Sequence, residues 1–335
     1  LDEKIGQLNL VTVGTDYPKE AIMADIRDGK VGGVFNTVTK PDIRRLQDEV
    51  KNSRLKIPPF YAYDVVHGQR TIFPISLGLA ASWDMQAVAT SARISAKETA
   101  ADGLNMTFSP MVDVTRDPRW GRVSEGFGED TYLTSRLAHE MVTGYQGKDP
   151  SAPDAVMANV KHYALYGAVE GGREYNTVDM SLTRMFNDYM PPYKAAVDAG
   201  AGGVMVALNS INGTPATSNT WLLKDILRDD WQFKGLTVSD HGAIGGLVKH
   251  GVAEDDRQAA AMALKAGVDM DMADNMYGKY LKGLLADGMV SQNDIDRAVR
   301  DVLAAKWDMG LFVDEYRHLG PQSSDPADTN AESRL

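Results

Sequence analysis

The chain contains no cysteine. A disulfide framework, a thiolate metal site and a cysteine nucleophile are therefore excluded. It also lacks an apolar run long enough to cross a bilayer as a helix. Positive charge is in short supply. Thirty-five Lys and Arg face 46 Asp and Glu, for a net charge of -11 at pH 7. Such a surface is a poor match for nucleic acid or an anionic membrane. Histidine is scarce at six residues. Neither of the two that fall at strand ends, His162 and His241, has the spacing of a helix-borne zinc motif, so no metal site and no cofactor are expected. No glycine-rich phosphate fingerprint follows the first strand, which counts against a dinucleotide fold. The chain starts at Leu1 without a signal peptide. It reads as a processed or trimmed piece, and an absence of cysteine fits a secreted or periplasmic enzyme without requiring one.

What remains is ordinary globular composition, 43% hydrophobic and 24% charged. Eight short apolar runs read as strands: 8–13, 31–35, 60–63, 104–108, 155–160, 204–208, 236–239 and 267–271. Most are followed by a helical pattern, such as 83–102, or 291–309 with Ser291 and Asp294 at capping-box spacing. Alternating β and α with near-continuous apolar strands implies a parallel sheet covered by helices. Eight units point to an α/β fold of the (β/α)8 TIM-like barrel kind over 1–311, with a doubly wound open sheet as the alternative. After Gly310 the composition changes. Pro321, Ser323, Ser324, Pro326 and Asn330 mark 312–335 as the start of a linker. Trp83, Trp221, Trp231 and Trp307 lie on or beside helices and read as core.

In such a barrel, catalytic groups collect at the C-terminal ends of strands. The tips here carry Asp64, Lys161-His162, Asn209, Asp240-His241 and Asp271, with a further polar loop between 113 and 130. Each has a plainer explanation. Asp240 could cap the next helix as readily as it could react. Asp64 and Arg70 could form a structural ion pair across a turn. Arg119 and Arg122 could anchor their loop. Lys161 could be a Schiff-base lysine, as in barrel aldolases. Six tips with such groups on one face are harder to dismiss together. Carboxylates and cations in dense array suit sugar hydroxyls, and glycosidic bonds are commonly broken by two carboxyl groups. Residue types alone thus favour a sugar-active barrel. An aldolase-type barrel comes next, and a sugar-binding barrel without turnover is the non-enzymatic alternative.

These residues sit in recognisable text. Lys4-Ile5-Gly6-Gln7-Leu8, Asp64 with His67-Gly68, 116–122 with 125–130, Val160-Lys161-His162, Val204-Met205, Asn212-Gly213, 235–240 and Gly310-Leu311-Phe312 together resemble glycoside hydrolase family 3 over nearly the whole chain. The resemblance implies a periplasmic β-glucosidase that releases terminal β-D-glucose with retention. β-Glucosides and short gluco-oligosaccharides would be its substrates. It implies Asp240 as nucleophile, with Asp64, Arg70, Arg122, Lys161 and His162 binding sugar hydroxyls. Met205 would line the subsite, and Arg173 would reach it from the long loop. Two departures stand out. His241 replaces the Trp that many members carry after the nucleophile, and Leu208 replaces a Tyr that would hydrogen-bond it. One branch of the family takes its acid from an Asp-His pair in a glycine-rich loop. Here that loop, 163–175, has no histidine. The other branch places a Glu acid/base on a second domain beyond the linker, and that domain is expected to be absent from this chain.

Overall fold

The structure, a computed structural model, describes residues 1–14 and 17–320. Its centre is a ring of eight parallel strands. They are β1 (Asn9–Thr12), β2 (Gly33–Phe35), β3 (Phe60–Tyr63), β4 (Met106–Thr107), β5 (Met157–Tyr163), β6 (Gly203–Val206), β7 (Leu236–Ser239) and β8 (Asp271–Met272). Neighbours in the ring follow the chain from β1 to β7. β8 pairs with β1 through Asn9↔Asp271 and Leu10↔Met272, and a bridge between Val238 and Met270 completes the circuit. All seven residues of β5 and all four of β7 are buried. Strands enclosed on both faces need apolar side chains on both, so they read as runs rather than alternations. The eight expected strands and the barrel are therefore observed.

Helices start where the sequence supplies acceptors for their free amides. Asp84 accepts from the Ala87 amide to open Met85–Ala101, and Asp130 does the same for Thr131–Gln146 through Leu133. Ser291 and Asp294 form the reciprocal capping box of Gln292–Asp308. Two tryptophans depart from the core expectation. Trp83 precedes its cap with φ 56 and is 67% exposed, and Trp307 is 67% exposed on the outer face of the last helix. The indole that is buried is Trp120. Next to Trp307, Lys306 points inward. Its Nζ donates to Gln7 Oε1 at 2.7 Å and lies 5.3 Å from the Phe60 ring, and burial pulls its ammonium down to about 7.

The stretch expected to begin a linker is docked as far as it is described. Leu319 is buried, Arg44 Nη2 donates to the carbonyls of Leu319 and Gly320, and the Tyr316 hydroxyl donates to Asp48. The linker-like residues Pro321 to Asn330 lie outside the described residues.

Candidate active site

Asp240 follows β7 directly. Its amide donates to the Val206 carbonyl, and its own carbonyl accepts from Ala243 across a tight turn. Gly242 occupies the left-handed region of that turn at φ 75. The helix after it, Ala243–Lys249, takes no side-chain cap, so Asp240 does not serve as one. Its Oδ1 accepts from the His241 amide at 2.6 Å. Its Oδ2 is buried without a hydrogen-bond partner and lies 3.6 Å from His162 Nε2. A buried carboxylate oxygen left unpaired is costly unless something else uses it.

The groups around it come from β3, β5 and the loop after β4. Lys161 Nζ donates to Asp64 Oδ1 at 2.7 Å and lies 3.8 Å from Glu125 Oε2. Arg122 grips Glu125 with both arms of its fork, at 2.7 and 3.0 Å, and its guanidinium lies 5.7 Å from the Tyr166 ring. Burial would raise the Glu125 carboxyl, but the bonds and charge of Arg122 outweigh it and hold it below the usual range. His162 is fixed from behind. Both its amide and its Nδ1 are 2.9 Å from Asp113 Oδ2. Asp113 Oδ1 accepts from the Tyr193 hydroxyl at 2.6 Å and the Tyr166 amide at 3.1 Å. Asp113 is fully buried, which would raise its carboxyl. The hydrogen bond and charge of His162 prevail and keep it low.

Asp64, Arg122, Lys161, His162, Met205, Asp240 and His241 line one cavity of about 290 Å³, together with Phe35, Glu125 and Met272. That volume lies at the small end for a ligand site and suits one ring. Two sequence candidates do not reach it. Arg70 pairs with Asp102, its amide donates to Glu98, and it does not line the cavity. Arg173 is exposed and also absent from the wall. Asp271 is a tip carboxylate of another kind. It accepts from the Tyr277 amide at 3.0 Å, so it holds the start of Met276–Ala286 rather than lining the cavity. Sequence reasoning assigned no role to Glu125 and Asp113. Glu125 stands three residues after Arg122, and Asp113 ends an apolar run, Met111-Val112. Either could have been marked as a partner for a nearby cation.

Asp271 has its own pH signature. Burial raises its carboxyl to about 7. A raised carboxyl contributes stability that is complete below its unfolded value near 4 and is lost as pH rises through about 7. The substitution Asp271→Asn removes that loss and keeps an acceptor for Tyr277. Its melting temperature is expected to gain on the parent's between pH 5 and pH 8, by the equivalent of roughly 2 to 3 kcal/mol. An offset that stays constant with pH would contradict the assignment.

The pattern of the glycosyl hydrolase family 3 N terminal domain matches residues 1–305. Across its whole length the chain is 67% identical to the periplasmic beta-glucosidase of Salmonella typhimurium, and it covers 44% of that protein. It is 33% identical to the lysosomal beta glucosidase of Dictyostelium discoideum, over 80% of the chain and 34% of that protein. Among solved structures, the beta-glucosidase from Listeria innocua in complex with glucose matches all of this chain and 49% of its own, at 40% identity and a TM-score of 0.92. The chain thus spans less than half the length of these relatives.

Proposed function

Since the chain belongs to glycosyl hydrolase family 3, through that family's N-terminal domain, we propose that 1–311 form the nucleophile-bearing barrel of a retaining β-glucosidase. The observation that carries this reading is the buried Asp240 Oδ2, unpaired and set in a cavity of hydroxyl-binding groups. In the first step Asp240 Oδ2 bonds to the anomeric carbon while the glycosidic C–O bond breaks. The bond's electron pair leaves with the aglycone oxygen, which takes a proton from a general acid. In the second step water attacks the same carbon from the other face, loses its proton to that group's conjugate base, and frees Asp240. Two inversions give net retention. Asp64, Lys161, His162 and Arg122 hold the sugar hydroxyls, Met205 packs beside the ring, and His241 closes the cavity on the leaving-group side. Glu125 joins this set by tying Arg122 to Lys161. Arg70 and Arg173 are left out of this set, since neither lines the cavity.

Asp64 and Glu125 are both committed to cations. The acid/base is therefore assigned to the part of the protein beyond these residues, as the family resemblance implies. A periplasmic address follows from the Salmonella relative. β-Glucosides and short gluco-oligosaccharides are the expected substrates. The Schiff-base alternative is disfavoured by Lys161 itself. Its Nζ donates to Asp64 and lies 3.8 Å from Glu125, so it is already committed to two carboxylates that suit binding of hydroxyls.

The test uses the protein with its second domain and anomer-resolved NMR during cellobiose hydrolysis. β-Glucose is expected first, with the α-anomer appearing only by mutarotation. Initial release of α-glucose would contradict the retaining mechanism, and binding with no product would leave a sugar-binding barrel.

A further inference from the structure

His241 stands between two cavities. It lines the one around Asp240 and also a neighbouring one of about 570 Å³. The second is walled by Tyr175, Leu208, Lys249 and His250, with Gly246 in its lining. Tyr175 is 59% exposed, an aromatic face open to a ligand. His250 is fixed by a 3.0 Å bond from Nε2 to the Leu208 carbonyl. A carbonyl only accepts, so Nε2 carries the proton. A Cβ built on Gly246 meets nothing within 4 Å, so the absent side chain leaves the space open. Among the described residues, no carboxylate lines this cavity. Asp274 lies near His241, but its carboxylate accepts from the Gly245 amide at 2.8 Å and is not part of the wall.

A sugar held over Asp240 must pass its leaving group into adjoining space, and this cavity shares a wall with the sugar's. We propose that it receives the leaving group, and that Lys249 makes it favour leaving groups carrying a carboxylate. The proposal rests on the β-glucosidase reading. An aromatic ring would lie against Tyr175 while its carboxylate meets the Lys249 ammonium. One exposed ion pair of this kind is worth roughly three- to fivefold in kcat/KM and weakens with salt.

The experiment uses the protein with its second domain and three substrates. Two are a matched pair, 4-carboxyphenyl and 4-carbamoylphenyl β-glucoside, which differ in charge but hardly in shape. The third is β-glucosyl fluoride, whose leaving group is too small to fill the cavity. The parent is expected to prefer the carboxylate about three- to fivefold, and Lys249→Gln to erase that preference. Gly246→Phe is expected to lower kcat/KM for both aryl glucosides at least about tenfold relative to the fluoride. An unaltered aryl-to-fluoride ratio in Gly246→Phe would overturn the placement of the leaving group. A parent without the carboxylate preference, or a preference that survives Lys249→Gln, would overturn the role of Lys249. A parent that turns over none of the three, the fluoride included, would instead overturn the glucosidase reading beneath the proposal.

Discussion

Residues 1–335 produced by themselves are expected to hydrolyse cellobiose about a hundred- to ten-thousand-fold more slowly than the protein with its second domain. A retaining glycosidase needs two carboxyl groups roughly 5 Å apart. Among the described residues, three carboxylates line the cavity: Asp64, Glu125 and Asp240. Asp64 is paired with Lys161, Glu125 is gripped by Arg122, and charge holds the Glu125 proton affinity below the usual range. A carboxyl held low, as that of Glu125 is, does not suit an acid that must keep its proton near neutrality, and Asp64 is already committed to Lys161. The deficit should depend on the leaving group. A dinitrophenol departs without protonation, so its glucoside should lose far less than cellobiose at the first step. Azide, which needs no general base, should then speed release of the sugar from Asp240. Comparison of the two proteins on both substrates checks this. Equal rates on cellobiose would place the acid within 1–335. Glu170, exposed in the loop after β5, would be the first residue to substitute.

The barrel was legible because each strand is enclosed on both faces and must be written in apolar residues, and because each ends where the polar groups begin. Asp240, Lys161 and His162 could be placed at tips for the same reason. Arg70 could not be placed. It stands only six positions after Asp64, yet Asp102, distant in sequence, captures it. No local pattern announces a partner 32 positions away. The role of Asp113 was hidden in the same way, since its work depends on His162, Tyr166 and Tyr193 converging on one buried carboxylate. Trp83 and Trp307 misled because size suggests burial, whereas Trp83 sits just outside a helix cap and Trp307 faces away from the core beside an inward Lys306. The missing Tyr at Leu208 also has a structural answer. The amide of His241 fixes one oxygen of Asp240 and leaves the other free.

That free oxygen underlies the second large effect. In the protein with its second domain, Asp240→Asn is expected to lower turnover at least about ten-thousand-fold while glucose still binds. The amide keeps the shape of the carboxylate and an acceptor for the His241 amide, but it cannot form the glycosyl ester. Loss of glucose binding together with turnover would mean that Asp240 holds the sugar rather than attacks it.

The most direct measurement is covalent capture on the parent protein. A 2-deoxy-2-fluoro β-glucoside with a dinitrophenol leaving group reacts readily in the first step. Its fluorine then slows the second, so the sugar accumulates on the nucleophile. Mass spectrometry of the intact protein and its peptides is expected to find one fluoroglucosyl group, carried by Asp240. Capture on Asp64, Glu125 or Asp271, or release of dinitrophenol with no sugar attached to the chain, would contradict a nucleophile at the end of β7.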